Sequence, residues 1–125
     1  MIERVVCLNC IDGRAQLPVI HWIKDEFNVE NVDMITEPGM DGLLADHKRS
    51  IAVILKKVNI SIEVNQAKKI FIIGHHDCRG NPVSEILHKE QISTAVDRIG
   101  QEYRNLEVIG AWVNHHWAIE PLVLK

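Results

Sequence analysis

Four short apolar runs, spaced by segments of helical period, set the narrowest limit on how this chain can fold. The runs are residues 4–9 (RVVCLN), 32–36, 69–73 (KIFII) and 106–113 (LEVIGAWV). Each is short, rich in branched aliphatics and bounded by turn residues, as buried strands are. Between the first two, Val19, Ile20, Ile23 and Phe27 recur at helical spacing, with Pro18 suited to a first turn. Between the second and third, residues 46–67 read as a helix with Ile51, Ile54, Leu55, Val58 and Ile62 on one face. A break is expected near Asn59, because Ile60, Ile62 and Val64 also alternate as in a strand. Residues 37–42 (EPGMDG) read as a loop. Residues 84–103 read as a helix carrying Ile86, Leu87, Ile92, Ala95, Val96 and Ile99. Strand–helix alternation of this kind implies right-handed crossovers and a parallel sheet. The expected fold is therefore α/β: a small, mostly parallel sheet of about four strands flanked by helices. With the first and third strands as neighbours, the expected order is 2-1-3-4.

The size agrees. A chain of 125 residues fits one domain, here residues 1–125, and buries a core without disulfide staples. Net charge is -3 and the basic residues are scattered, so no nucleic-acid partner is expected. The N-terminal MIERVVCLNC lacks the long apolar stretch of a signal peptide, and no run is long enough to span a membrane. The expectation is a cytoplasmic protein with no membrane partner. Three cysteines in a reducing compartment point to metal ligation, reactive thiols or core packing rather than disulfides.

Two strand exits carry the chemistry. Cys10-x-Asp12-x-Arg14 follows the first run, and His75-x-x-Cys78 follows the third. In open parallel sheets, ligands bind beyond the carboxyl ends of strands, where the strand order switches direction. If the first and third strands are neighbours, both exits meet there. Two thiolates and an imidazole then form a zinc set, with one tetrahedral corner left open as in catalytic sites.

These residues resemble the signature of the β-class carbonic anhydrases. Cys-x-Asp-x-Arg stands here as residues 10–14, and the downstream Gly-His-x-x-Cys as residues 74–78. The resemblance implies that Cys10, His75 and Cys78 hold Zn²⁺. It implies that Asp12 accepts a hydrogen bond from zinc-bound water or takes the open corner itself. Arg14 would pair with Asp12 and orient it. The implied reaction is reversible hydration of CO₂ to bicarbonate by zinc-bound hydroxide. Departures are visible: Gly13 stands where relatives commonly have Ser, and Arg79 precedes the glycine that usually follows the second Cys. The first strand starts within a few residues of Met1, where relatives carry a helical arm used in dimerisation.

Other residues receive plainer readings. Cys7, in mid-strand, is expected to be a small core residue. Asp77 is expected to bond within its own turn, and His76, His115 and His116 to be solvated. Trp112 and Trp117 are expected in packing or interfaces. An apolar end around Trp117, Ile119, Leu122 and Val123, together with sheet edges that need cover, predicts a homodimer or higher homo-oligomer. Two alternatives stand beside CO₂ hydration: a zinc-binding domain without turnover, and a zinc hydrolase of another small electrophile such as a carbon–sulfur compound.

Overall fold

Val5, Val6, Cys7, Leu8 and Asn9 are all buried, so the first strand, β1 (Ile2–Asn9), is enclosed on both faces. In the computed structural model, which describes residues 1–124 and only the backbone of 123 and 124, β1 lies inside a five-stranded sheet. The other strands are β2 (Val29–Thr36), β3 (Lys69–His75), β4 (Glu107–Val113) and β5 (Ile119–Leu124), in the order β2-β1-β3-β4-β5. The first four are parallel and stand in the expected order. The fifth is an addition. It pairs antiparallel with β4 after a tight turn at residues 114–118. By sequence this segment reads as an apolar end rather than a strand, and the side chain of Val123 lies outside the described residues.

The helices are α1 (Gln16–Phe27), α2 (Met40–Ala45), α3 (Ala52–Glu63) and α4 (Glu85–Glu102). α2 occupies part of the stretch expected to be loop, and α3 is shorter than expected and runs unbroken through Asn59. Ile60 and Val64 are exposed, as the outer face of a helix requires. The α4 side chains turned inward are His88, Ile92, Ala95, Val96 and Ile99, whereas Ile86 and Leu87 face solvent. Ser84 caps α4 by accepting from the Leu87 amide at 3.1 Å.

The sheet divides two cores. One, containing Val6, Leu8, Ile70, Ile72, Ile54, Val58, Ile92 and Trp112, lies under α2, α3 and α4. The other, containing Val5, Cys7, Phe71, Ile73 and Val113, lies under α1, with Trp22, Phe27 and Phe71 in mutual edge contacts. Cys7 is therefore core, as expected, and burial pushes its thiol well up from the ordinary range. No helix among the described residues is long and apolar enough to cross a membrane.

Candidate metal centre

Asn9 ends β1 and shapes the first exit. Its side chain is fully buried, accepting from the Cys10 amide at 2.8 Å and donating to the Ala15 carbonyl at 3.1 Å. Gln16 adds a bond to the Cys10 carbonyl at 2.6 Å. The chain is thereby folded back into a 3-10 turn over Gly13–Ala15, and the Cys10 thiol faces the end of β3. There His75 is the last strand residue and Cys78 follows in the loop.

The ligand atoms of Cys10, His75 and Cys78 all lie within 4.8 Å of one another, and all three residues are buried. The two Sγ atoms are 3.9 Å apart. Two thiolates on one tetrahedral zinc at about 2.3 Å stand roughly 3.8 Å apart, so the spacing suits a shared metal. His75 Nδ1 donates to the His76 carbonyl at 2.7 Å, which leaves Nε2 as the free ring atom of the neutral imidazole. That Nε2 is buried with no hydrogen-bond partner. An orphaned ring nitrogen beside two thiols is what a metal ligand looks like without its ion.

The two thiols behave differently. The Cys78 thiol beside it, with smaller help from His75 and backbone amides, lowers Cys10 to about 4 against the cost of burial. Cys78 is raised by the neighbouring Cys10 thiolate and by burial. The Gly39 amide donates to Cys10 Sγ at 3.5 Å. Gly39 has φ +60°, and a Cβ there would stand 2.6 Å from the Gly80 carbonyl oxygen, so only glycine lets the two loops cross.

Asp12 stands at the rim of the cluster, with Oδ2 4.0 Å from His75 Nε2. Arg14 grips it in a fork: Nη2 to Oδ2 at 2.7 Å and Nε to Oδ1 at 3.1 Å. The Arg14 guanidinium lowers the Asp12 carboxyl to about 2. Arg14 is itself tied to Asp77, through the carboxylate at 3.2 Å and the carbonyl at 3.1 Å, and lies 4.7 Å over the Trp117 ring. Asp77 is thus not spent within its own turn; it bonds across 63 positions to Arg14. His76, His115 and His116 are exposed on the same rim, with His115 and His116 rings 3.9 Å apart. A cavity of about 200 Å³, lined by Cys10, Ile11, Asp12, Pro38, Arg79 and Gly80, opens onto the cluster.

Two features of this end were not foreseen. The residues 37–42 segment supplies the amide on Cys10, and a buried Asp41–His88 pair lies behind it, with His88 Nδ1 2.6 Å from Asp41 Oδ2. Glycines at 39 and 42 and the inward register of His88 were the available signals.

Comparisons with known proteins bear on the family and the fold. Residues 2–123 match the sequence model of a family described as "Putative carbonic anhydrase". Among solved structures, the chain is similar to one of two tetrameric β-carbonic anhydrases from the filamentous ascomycete Sordaria macrospora. That match has 11% identity and a TM-score of 0.66, covering 100% of this chain and 84% of the other. It is also similar to the β-carbonic anhydrase CafA of Aspergillus fumigatus, with 13% identity and a TM-score of 0.64, covering 97% of this chain and 76% of the other. At such identities the structural likeness speaks for the fold alone. No curated protein sequence matches the chain.

Proposed function

The chain belongs to the carbonic anhydrase family whose sequence model it matches, and on that premise we propose that it catalyses reversible hydration of CO₂ to bicarbonate with Zn²⁺ held by Cys10, His75 and Cys78. The observation that carries the reading is the buried, unpartnered His75 Nε2 beside two thiols, with an ionised Asp12 at 4.0 Å. When bound, Zn²⁺ would supply a Lewis acid that brings the pKa of a coordinated water to about 7. The protein's own groups do the rest. Arg14 keeps Asp12 charged and turned so that its carboxylate accepts a hydrogen bond at the open side of the cluster. Arg14 does not give up its proton, because the Asp12 and Asp77 carboxylates push its pKa further up. The 200 Å³ cavity suits a small substrate: Ile11 and Pro38 offer apolar surface to CO₂, and the Arg79 cation favours the bicarbonate anion.

The proposal includes a homodimer or higher homo-oligomer, since the Sordaria proteins are tetrameric and β2 and β5 are edge strands. It includes no nucleic-acid or membrane partner, and a cytoplasmic location. The test is stopped-flow CO₂ hydration by zinc-loaded protein from about pH 6 to about pH 9, where the rate is expected to rise with pH. Full zinc occupancy without hydration anywhere in that range overturns the reading. A zinc domain without turnover, or a hydrolase of another small electrophile, would then take its place.

A further inference from the structure

Asp41, in the first turn of α2, is 1% exposed and hydrogen-bonds to no member of the ligand cluster among the described residues. Its carboxylate nevertheless touches the segments that present His75 and Cys78, and belongs to the segment whose Gly39 amide contacts Cys10. Oδ1 accepts from its neighbouring Gly42 amide at 2.8 Å, which fixes the segment whose Gly39 amide reaches Cys10 Sγ. The same oxygen accepts from the Asn81 side chain at 3.0 Å. Asn81 follows Cys78 by three positions and bonds back to the Cys78 carbonyl through its own amide at 3.3 Å. Oδ2 lies against Gly74, the residue before His75, so closely that a Cβ there would collide with it. On its other side Oδ2 accepts from His88 Nδ1 at 2.6 Å, and the His88 ring packs on Trp112 with centroids 5.2 Å apart. Asn81 is held in turn by Gln91 of α4 at 2.7 Å. One carboxylate anchored on α4 therefore braces all three stretches of chain from which Cys10, His75 and Cys78 are displayed or contacted.

We propose that Asp41, held by His88, is the positioning residue of the ligand cluster: it fixes the two crossing loops and so sets the geometry in which a metal is held and how long it stays. This rests on the metal reading of Cys10, His75 and Cys78. Outer partners that orient ligands commonly govern metal retention by roughly 10- to 100-fold. The three donors converging on Asp41 use both oxygens of a carboxylate. Asparagine of the same size offers one acceptor oxygen, so Asp41→Asn removes part of the brace without emptying the space.

The experiment loads wild type, Asp41→Asn and Asn81→Ala with Co²⁺. It records the thiolate-to-cobalt charge-transfer and ligand-field absorption, and the rate at which excess chelator strips the metal. Asp41→Asn is expected to bind cobalt with shifted ligand-field bands and to lose it about tenfold faster. Asn81→Ala, which cuts one arm, shifts both in the same direction by less. Ile99→Ala, buried further along α4, lowers stability and leaves spectrum and release rate as in wild type. A wild-type spectrum and release rate in Asp41→Asn overturn the proposal whatever the variant's stability. If that variant does not fold, the same unchanged result in Asn81→Ala overturns it. Wild-type protein that takes up no cobalt overturns the metal reading along with this one, whereas a tetrahedral wild-type spectrum with unaffected variants overturns this one alone.

Discussion

At the carboxyl ends of β1 and β3, the buried polar side chains Asn9, Asp41, His75 and His88 crowd beside two cysteines. At the amino ends, charge is handled near the surface. Lys69 pairs with Glu107 where β3 and β4 begin, and Asp33, midway along β2, gathers Arg4 at 2.9 Å, Ser61 at 2.7 Å and Asn65 at 3.0 Å. Burying polar groups costs stability unless each finds a partner. The amino end reduces that cost by keeping its carboxylates and Lys69 partly wet, although Arg4 Nε is buried without a partner. The carboxyl end accepts it, satisfies Asn9, Asp41 and His88 within the protein, and leaves His75 Nε2 unsatisfied. Arg4 Nε and Trp112 Nε1 are also buried without a partner; what sets His75 Nε2 apart is its place in a cluster with two thiols, at the end of the sheet where parallel α/β folds generally place their sites.

If the two ends differ in this way, substitutions at one end should change metal and activity, and at the other only stability. The largest effect is expected from Cys10→Ser or His75→Ala. Each should lose most of the roughly one zinc per chain expected of wild type, with hydration activity falling alongside. Cys7→Ser, in the buried middle of β1, should keep its zinc. Elemental analysis of the purified variants decides, and full zinc in Cys10→Ser would erase the contrast between the ends.

Next comes Arg14→Ala. It should retain zinc and lose hydration activity by about 100-fold, because Asp12 is no longer held in its fork. Wild-type rates in this variant would show that the Asp12–Arg14 pair is only a surface ion pair.

Asp33→Asn should cost about 1 kcal/mol in chemical denaturation at neutral pH and leave zinc content and hydration unchanged. The pH dependence has a definite sign. Burial alone would raise the Asp33 carboxyl, but the Asn65, Ser61 and Arg4 contacts outweigh it, so its folded pKa is lowered. A depressed pKa contributes stability that is complete above the unfolded value, about 3.9, and is lost as pH falls through the folded one. The difference between wild type and Asp33→Asn should therefore shrink below about pH 4, and a difference that grew there would contradict the assignment. Smallest of all, Lys69→Ala at the exposed Lys69–Glu107 pair should change stability by less than about 0.5 kcal/mol.

The sequence made the parallel frame legible because a strand enclosed on both faces is a continuous apolar run, as residues 4–9 and 69–73 are. Strand order followed from where the two motifs had to meet. β5 escaped because it is an edge strand with Pro121 inside it and a polar turn, Asn114–Trp117, before it. α2 escaped because Pro38, Gly39 and Gly42 are loop residues by local chemistry; they are there for the backbone crossing with Gly80 and the contact of Gly42 with Asn81. Cys10, His75 and Cys78 stood out by their places at two strand exits, Asp12 and Arg14 by the resemblance to the β-class signature, and the fold brings all five to one end of the sheet. The Asp41–His88 pair spans 47 positions and the Arg14–Asp77 bond 63. No local pattern reports such pairings, since each depends on which loops cross in space.

The central claim is that the specialised end holds one zinc on two sulfurs and one nitrogen. X-ray absorption at the zinc edge of the purified protein tests it most directly. The account predicts a first shell with two sulfurs at about 2.3 Å and one nitrogen at about 2.0–2.1 Å, and one sulfur fewer around whatever zinc Cys10→Ser retains. A shell of oxygen and nitrogen alone, or a sulfur shell untouched by that substitution, would contradict it.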